Sequence, residues 1–182
     1  MESHINRNYA VQLHSWRETK VPKWGYSIGK EELDPERTAK ASGREARVSP
    51  KAAREICRTI HHMMLTQAKQ YLRDVMSKKK AVPYTKFKKK AGHRHGIEKA
   101  YAGRYPVKAA EQVLNVLEGA EANAENKGLD AERLRVIHAS ACAGMKIKRY
   151  TPRAHGRTTP KFGRLCHIEI ALKEKPEKGE ET

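Results

Sequence analysis

The sequence predicts an α+β fold in which three amphipathic helices pack against the apolar ends of one long, cationic β-hairpin. Apolar residues recur at three-and-four spacing in three separate windows. Two strand-like runs, Leu134–Cys142 and Leu165–Leu172, bracket a centre rich in turn residues, KIKRYTPRAHGRTTPKFGR. Between Arg133 and Ile168 there are nine Lys or Arg and no Asp or Glu.

Residues 1–37 hold Trp16 and Trp24 and no convincing period, so they read as an extended N-terminal arm. Thr38–Val48 alternates small and basic residues, as a short strand or a connector with Gly43 as a bulge. Ser49 and Pro50 then start the first helix, the serine as N-cap and the proline in the first turn. Ala53, Ile56, Cys57, Ile60 and Met64 form its apolar face, with Lys51, Arg54 and Arg58 off it. A second helix begins near Thr66 and buries Ala68, Tyr71, Leu72, Val75 and Met76.

Residues 75–97 are again free of acids, with Lys78, Lys79, Lys80, Lys86, Lys88, Lys89, Lys90 and Arg94 interleaved with Pro83, Tyr84, Phe87 and Gly92. So few apolar residues predict a segment that orders only on a partner. The longest helix follows, from about Pro106 to Lys127, with Gly128 at the left-handed C-terminal position. Its stripe is Val107, Ala110, Val113, Leu114, Leu117, Ala120 and Ala124. Gly119, in mid-helix, costs about 1 kcal/mol relative to Ala, which points to close packing there. Glu111, Glu118, Glu121 and Glu125 read as a solvated helix face rather than as paired catalytic acids. Residues 174–182 read as a disordered tail.

In the hairpin, alternation sets Cys166, Ile168, Ile170 and Leu172 toward the helices and His167, Glu169 and Lys173 away from them. Pairing Ser140 roughly with Ile168 places the apex near Ala154, with Pro152 and Gly156 as turn residues. Each arm then runs about ten residues beyond the packed part, on the order of 30–40 Å. A ribbon of that length is marginal in water, so a partner must hold it.

The charge identifies that partner as a polyanion. The 182 residues carry 38 Lys+Arg against 21 Asp+Glu, a formal +17 with pI near 9.9. No window reaches the roughly 18 apolar residues of a membrane span, and the N-terminus lacks a signal-peptide run. Arg149, Arg153, Arg157 and Arg164 suit bidentate phosphate contacts, and Tyr150 and Phe162 suit stacking on bases. No ribonucleoprotein motif, helix-turn-helix or zinc finger is present, so shape and backbone contacts are expected rather than base-edge reading.

Other chemistry finds little support. Cys57, Cys142 and Cys166 are too few for a disulfide framework and read as reduced thiols. Cys142 and Cys166, on opposite arms, leave a bridge open only in an oxidising compartment. His61, His62, His93 and His95 lack Cys or carboxylate partners at ligand spacing, so no metal or cofactor is expected. A nuclease using His138, His155 or His167 lacks a nucleophile or paired acids. The Lys runs at 78–80 and 88–90 fit RNA contact better than a nuclear address.

The run MKIKRYTPRAHGRTTPKFGRLCHIEI, with RYPVKAAEQVLNVLEGAEANAENKGLD and RVSPKAAREICRTI before it, closely resembles a universal large-subunit ribosomal protein family. Its members are called "L twenty-two" in bacteria and "L seventeen" in eukaryotes, and the likeness covers roughly residues 38–173. The first arm and the basic insert resemble the archaeal and eukaryotic branch, and the lack of a long Lys-rich tail favours an archaeal source.

The resemblance implies an α+β domain of three helices on a small antiparallel sheet, spanning 38–173 with insert 78–104 and hairpin 134–172. It implies a cytoplasmic, non-catalytic constituent of the large subunit, at the peptide exit. Partners are large-subunit ribosomal RNA, which it helps fold, neighbouring ribosomal proteins and the nascent peptide. RNA contacts are expected from Arg47, Lys51, Lys78, Lys79, Lys80, Lys86, Lys88, Lys89, Lys90, Arg94, Arg104, Lys146, Lys148, Arg149, Arg153, Arg157, Lys161 and Arg164. The tip, Pro152, Arg153, Ala154, His155, Gly156 and Arg157, is expected to line the peptide tunnel. The alternative reading is a non-ribosomal RNA-binding or chaperone module.

Overall fold

The computed structural model describes residues 25–29, 33–97 and 100–175; the tryptophans and most of the arm and tail lie outside them. The described elements, in chain order, are β1 (Thr38–Ala46), α1 (Pro50–Ile60), α2 (Leu65–Met76), β2 (Val82–Pro83), β3 (Gly103–Arg104), α3 (Val107–Glu125), a 3-10 turn (Ala131–Arg133), β4 (Leu134–Ile147), β5 (Tyr150–Pro152), β6 (Thr158–Pro160) and β7 (Gly163–Glu174). The fold is therefore α+β. β7 is the central strand of an antiparallel sheet ordered β1-β7-β4, and two short two-stranded ladders, β2-β3 and β5-β6, stand apart from it.

The helices cover one face of this sheet. Ile56, Ile60, Leu65, Leu72, Leu117, Leu134, Ile168, Ile170 and Leu172 are fully buried between them, each side chain contributing about 1.5–3 kcal/mol by leaving water. Leu165–Leu172 is buried along its whole length, so the second face of β7 is covered as well. Alternation sets His167 and Glu169 on the face away from the helices, and that face is covered by other parts of the chain. The Glu169 carboxylate accepts from Ser27 N at 2.8 Å and Ser27 Oγ at 2.9 Å, and Arg44 lies 3.5 Å away. His167 Nδ1 accepts from the amide of Glu45 at 3.1 Å. A residue of the N-terminal arm and the end of β1 thus roof the strand.

Several boundaries moved for tertiary reasons. α1 stops at Ile60 and Met64 becomes the N-cap residue of α2, not part of the α1 face. The intervening turn pairs with the start of β4: His62 N donates to Val136 O at 2.8 Å and Val136 N to Met63 O at 2.9 Å. Thr66 is accordingly inside α2. Ser49 stands at the N-cap of α1, but its hydroxyl makes no capping bond. In α3, Ala109 is buried and Val107 is only half-buried.

The C-terminus of α3 follows the expected chemistry. Gly128 has φ +74°, its amide donates to Glu125 O at 2.9 Å, and Leu129 N reaches Ala124 O at 3.1 Å. Gly119 faces β1, with Ala41 Cβ 4.0 Å from where its own Cβ would stand.

Register in the hairpin differs from the expectation by one residue: Ser140 pairs with Glu169 and Ala141 with Ile168. Cys142 pairs with His167 and Ala143 with Cys166, so the two cysteines do not oppose each other and remain free thiols.

Candidate nucleic-acid interface

Past the bulge between Ala143 and Lys146 the hairpin leaves the core, and no residue from 142 to 164 is buried. It keeps one register outward, Ile147 with Gly163, Tyr150 with Pro160 and Pro152 with Thr158. Tyr150 and Phe162, 59% and 47% exposed, meet edge to face with centroids 5.9 Å apart. This contact is the ribbon's own apolar support, worth about 0.5–1.5 kcal/mol beyond area burial. Lys146, Lys148, Arg149, Arg153, Arg157, Lys161 and Arg164 are all exposed along it.

The chain reverses at His155 and Gly156, with φ +58° and +67°. Pro152 lies in β5 rather than in the turn. Arg153 N donates to Arg157 O at 2.8 Å, and Arg153 Nε to Thr159 Oγ1 at 3.0 Å. The hydrogen bond holds this guanidinium against the ribbon while leaving its other donors free for an anion.

The second acid-free block folds back on the body, contrary to the expectation that it orders only with a partner. Val82, Tyr84 and Ala102 are buried, and β2 meets β3 with Val82 opposite Arg104. The anchor is Glu55, 1% exposed, on α1. Its carboxylate accepts from the amides of Thr85, Lys86 and Phe87 at 3.3, 3.1 and 3.2 Å and from Thr85 Oγ1 at 3.1 Å. Burial pushes the Glu55 carboxyl up, but these donors outweigh it and hold the group below its ordinary 4.5.

The structure brings Lys51, Lys86, Lys89 and Arg104 together around one cleft, with Arg47 on an adjoining groove. Lys78, Lys79 and Lys80 follow the C-terminus of α2, where Lys79 N and Lys80 N donate to Asp74 O at 2.8 and 3.2 Å. Lys80 Nζ also meets Asp74 Oδ2 at 3.2 Å. These cations complement the helix dipole, whatever else they contact. Lys88 lies over the Tyr101 ring at 5.4 Å and Arg94 over Tyr105 at 5.4 Å; Lys90, also exposed, accepts from Arg104 through its carbonyl.

Sequence reading missed Glu55, Glu169, Ser27 and Tyr105. Glu55 carried no signal, since helical spacing sets it with Lys51 and Arg58 on the side opposite Ala53, Ile56, Cys57 and Ile60. Ser27 and Tyr105 carried none, because their roles depend on distant partners. His61, lowered by burial and by His62 beside it, has no metal company; among the described residues no cluster of His, Cys, Asp or Glu is arranged to hold a metal. No helix among them is long and apolar enough to cross a membrane.

A family model described as Ribosomal protein L22p/L17e matches residues 41–173. Among curated relatives, large ribosomal subunit protein uL22 of Methanopyrus kandleri is 54% identical over 157 residues, covering 86% of this chain and 99% of that one. Its namesake in Archaeoglobus fulgidus is 51% identical over 137 residues, 75% of this chain and 88% of the relative. The one from Methanocaldococcus jannaschii is 49% identical over 143 residues, covering 79% and 92%. The matched span contains both cationic blocks and the whole sheet from Ala41 onward, and on this ground the chain belongs to the L22p/L17e family of ribosomal proteins.

Proposed function

We propose that this protein is a structural, non-catalytic constituent of the large ribosomal subunit in the cytoplasm, binding large-subunit ribosomal RNA and neighbouring ribosomal proteins. The observation that carries the reading is the exposed, acid-free ribbon from Lys146 to Arg164. Its ladder has one aromatic contact and no buried residue, so phosphates along its length supply what a core does not. Residues 38–173 form the working unit, with the insert 78–104 and the ribbon as its two RNA-contacting extensions. By joining RNA segments at both extensions the protein helps them fold.

The tip Pro152–Arg157 lines the nascent-peptide tunnel in this reading, supported by its distance from the core and by the family likeness. Full-length tagged protein is expected to stay with large subunits through a moderate salt wash in a sucrose gradient. Recovery only in free fractions overturns the assignment. A photoreactive residue in place of His155 is expected to label nascent chains during translation; labelling of RNA and never of peptide removes the tunnel part alone.

A further inference from the structure

Lys51, Lys86, Lys89 and Arg104 surround a cleft of about 570 Å³ between the start of α1 and the basic insert, and Tyr84, Phe87 and Tyr105 supply its apolar lining. No carboxylate lines it among the described residues. The helix starts at Ser49 and Pro106 both border it, and neither α1 nor α3 has a capping side chain or an acid in its first turn. Their partial positive charge adds to that of the four side chains.

Two of the four cations, Lys51 and Arg104, are held in place. Lys51 Nζ sits 5.4 Å from the Phe87 centroid. Arg104 Cζ sits 5.6 Å from the Tyr84 centroid, and the same guanidinium donates to Lys90 O at 3.0 Å. Glu55 fixes the backbone of Lys86 and Phe87 through its buried carboxylate, so the loop that carries half the cleft is anchored before any ligand arrives. Rings alternating with cations match a nucleotide, which offers a π face and a phosphate one sugar apart. An acidic peptide offers carboxylates without the flat face, and a duplex keeps its bases stacked inside.

We infer that this cleft takes one unstacked nucleotide of single-stranded RNA, its base against Tyr105 and Phe87 and its phosphates on Lys51, Lys86, Lys89 and Arg104. The inference rests on the ribosomal reading above and adds a defined base-accepting subsite to it.

The test uses the full chain and a single-stranded RNA decamer containing 4-thiouridine, irradiated and mapped by mass spectrometry, with a duplex of equal length as comparison. Adducts at Phe87 or Tyr105 from the single strand are expected, and poly-glutamate should fail to displace it. Tyr105→Leu, checked for retained helicity, should lower single-strand affinity by about 5-fold or more while leaving duplex affinity unchanged, in line with loss of one stacking contact. Lys86→Gln with Lys89→Gln should instead reduce the slope of log affinity against log salt by about 1.4. Adducts confined to Tyr150 and Phe162, equal losses for single strand and duplex, or displacement by poly-glutamate overturns the subsite. A wild-type chain that co-sediments with subunits yet gives no adduct at the cleft defeats this inference alone, whereas failure to co-sediment defeats the ribosomal reading.

Discussion

Glu55 shows how much one buried side chain organises. Three backbone amides and a hydroxyl converge on it, and Glu55→Ala would leave them without their acceptor. The expected cost is about 1–3 kcal/mol by urea unfolding, with faster amide exchange at Thr85–Phe87; unchanged exchange would mean the insert is held by Val82 and Tyr84 alone. Because the folded-state carboxyl lies below its ordinary 4.5, the clamp stabilises fully above that pH and is lost as pH falls through the lower folded value. Gly43 is a second such position, since a Cβ there would stand 2.6 Å from Val116 Cγ2 on α3. Gly43→Ala is expected to destabilise by about 1–3 kcal/mol, and Val116→Ala in the same chain to recover part of it. Burial pushes the thiols of Cys57 and Cys166 up to about 12 and about 11, while Cys142 is exposed. A thiol titration of native protein should therefore count one fast-reacting cysteine, and two or more would contradict the packing.

At the scale of elements, the ribbon and the helical body separate. Deleting Tyr150–Phe162 removes β5, β6 and the turn but no residue of the core. The helical circular dichroism signal should persist while incorporation into large subunits falls; collapse of the helices would show that the ribbon supports the body. Free protein should exchange amides quickly across 145–164 and gain protection on binding RNA. The insert behaves differently from its composition, since residues 82–87 are tied to α1 and should be protected without RNA. Helix stripes and the Gly128 cap were legible in the sequence because both depend on residues within one or two turns. The ends of α1 and α2 were not, because the turn between them is set by hydrogen bonds to β4, some seventy positions away. Hairpin register was legible only to within one residue, since a bulge between Val136 and His138 shifts the pairing and alternation does not reveal bulges.

For the whole molecule, charge is divided between exposed cationic extensions and a helix surface that holds the acids. One of those acids, Glu121, is bonded to Lys69 between α3 and α2. If the ribbon tracks phosphates, Lys146→Gln with Lys148→Gln should reduce the slope of log affinity against log salt by about 1.4 to 1.8, without changing preference among RNA sequences. A change in sequence preference with an unaltered slope would place those lysines at base edges.

By itself the sequence determined the three helices, the long hairpin and the polyanionic nature of the partner, because periodicity and charge density are local properties that survive without coordinates. It also carried the family, through an uninterrupted run around the apex. Only the tertiary structure decided that both faces of β7 are covered, that Glu55 pins the insert, and that four cations and three rings meet in one cleft. Those features join residues from 30 to 142 positions apart, as Glu55 to Thr85 and Ser27 to Glu169. Contacts of that span follow from how helices and sheet pack together, and no pattern within a single segment encodes them.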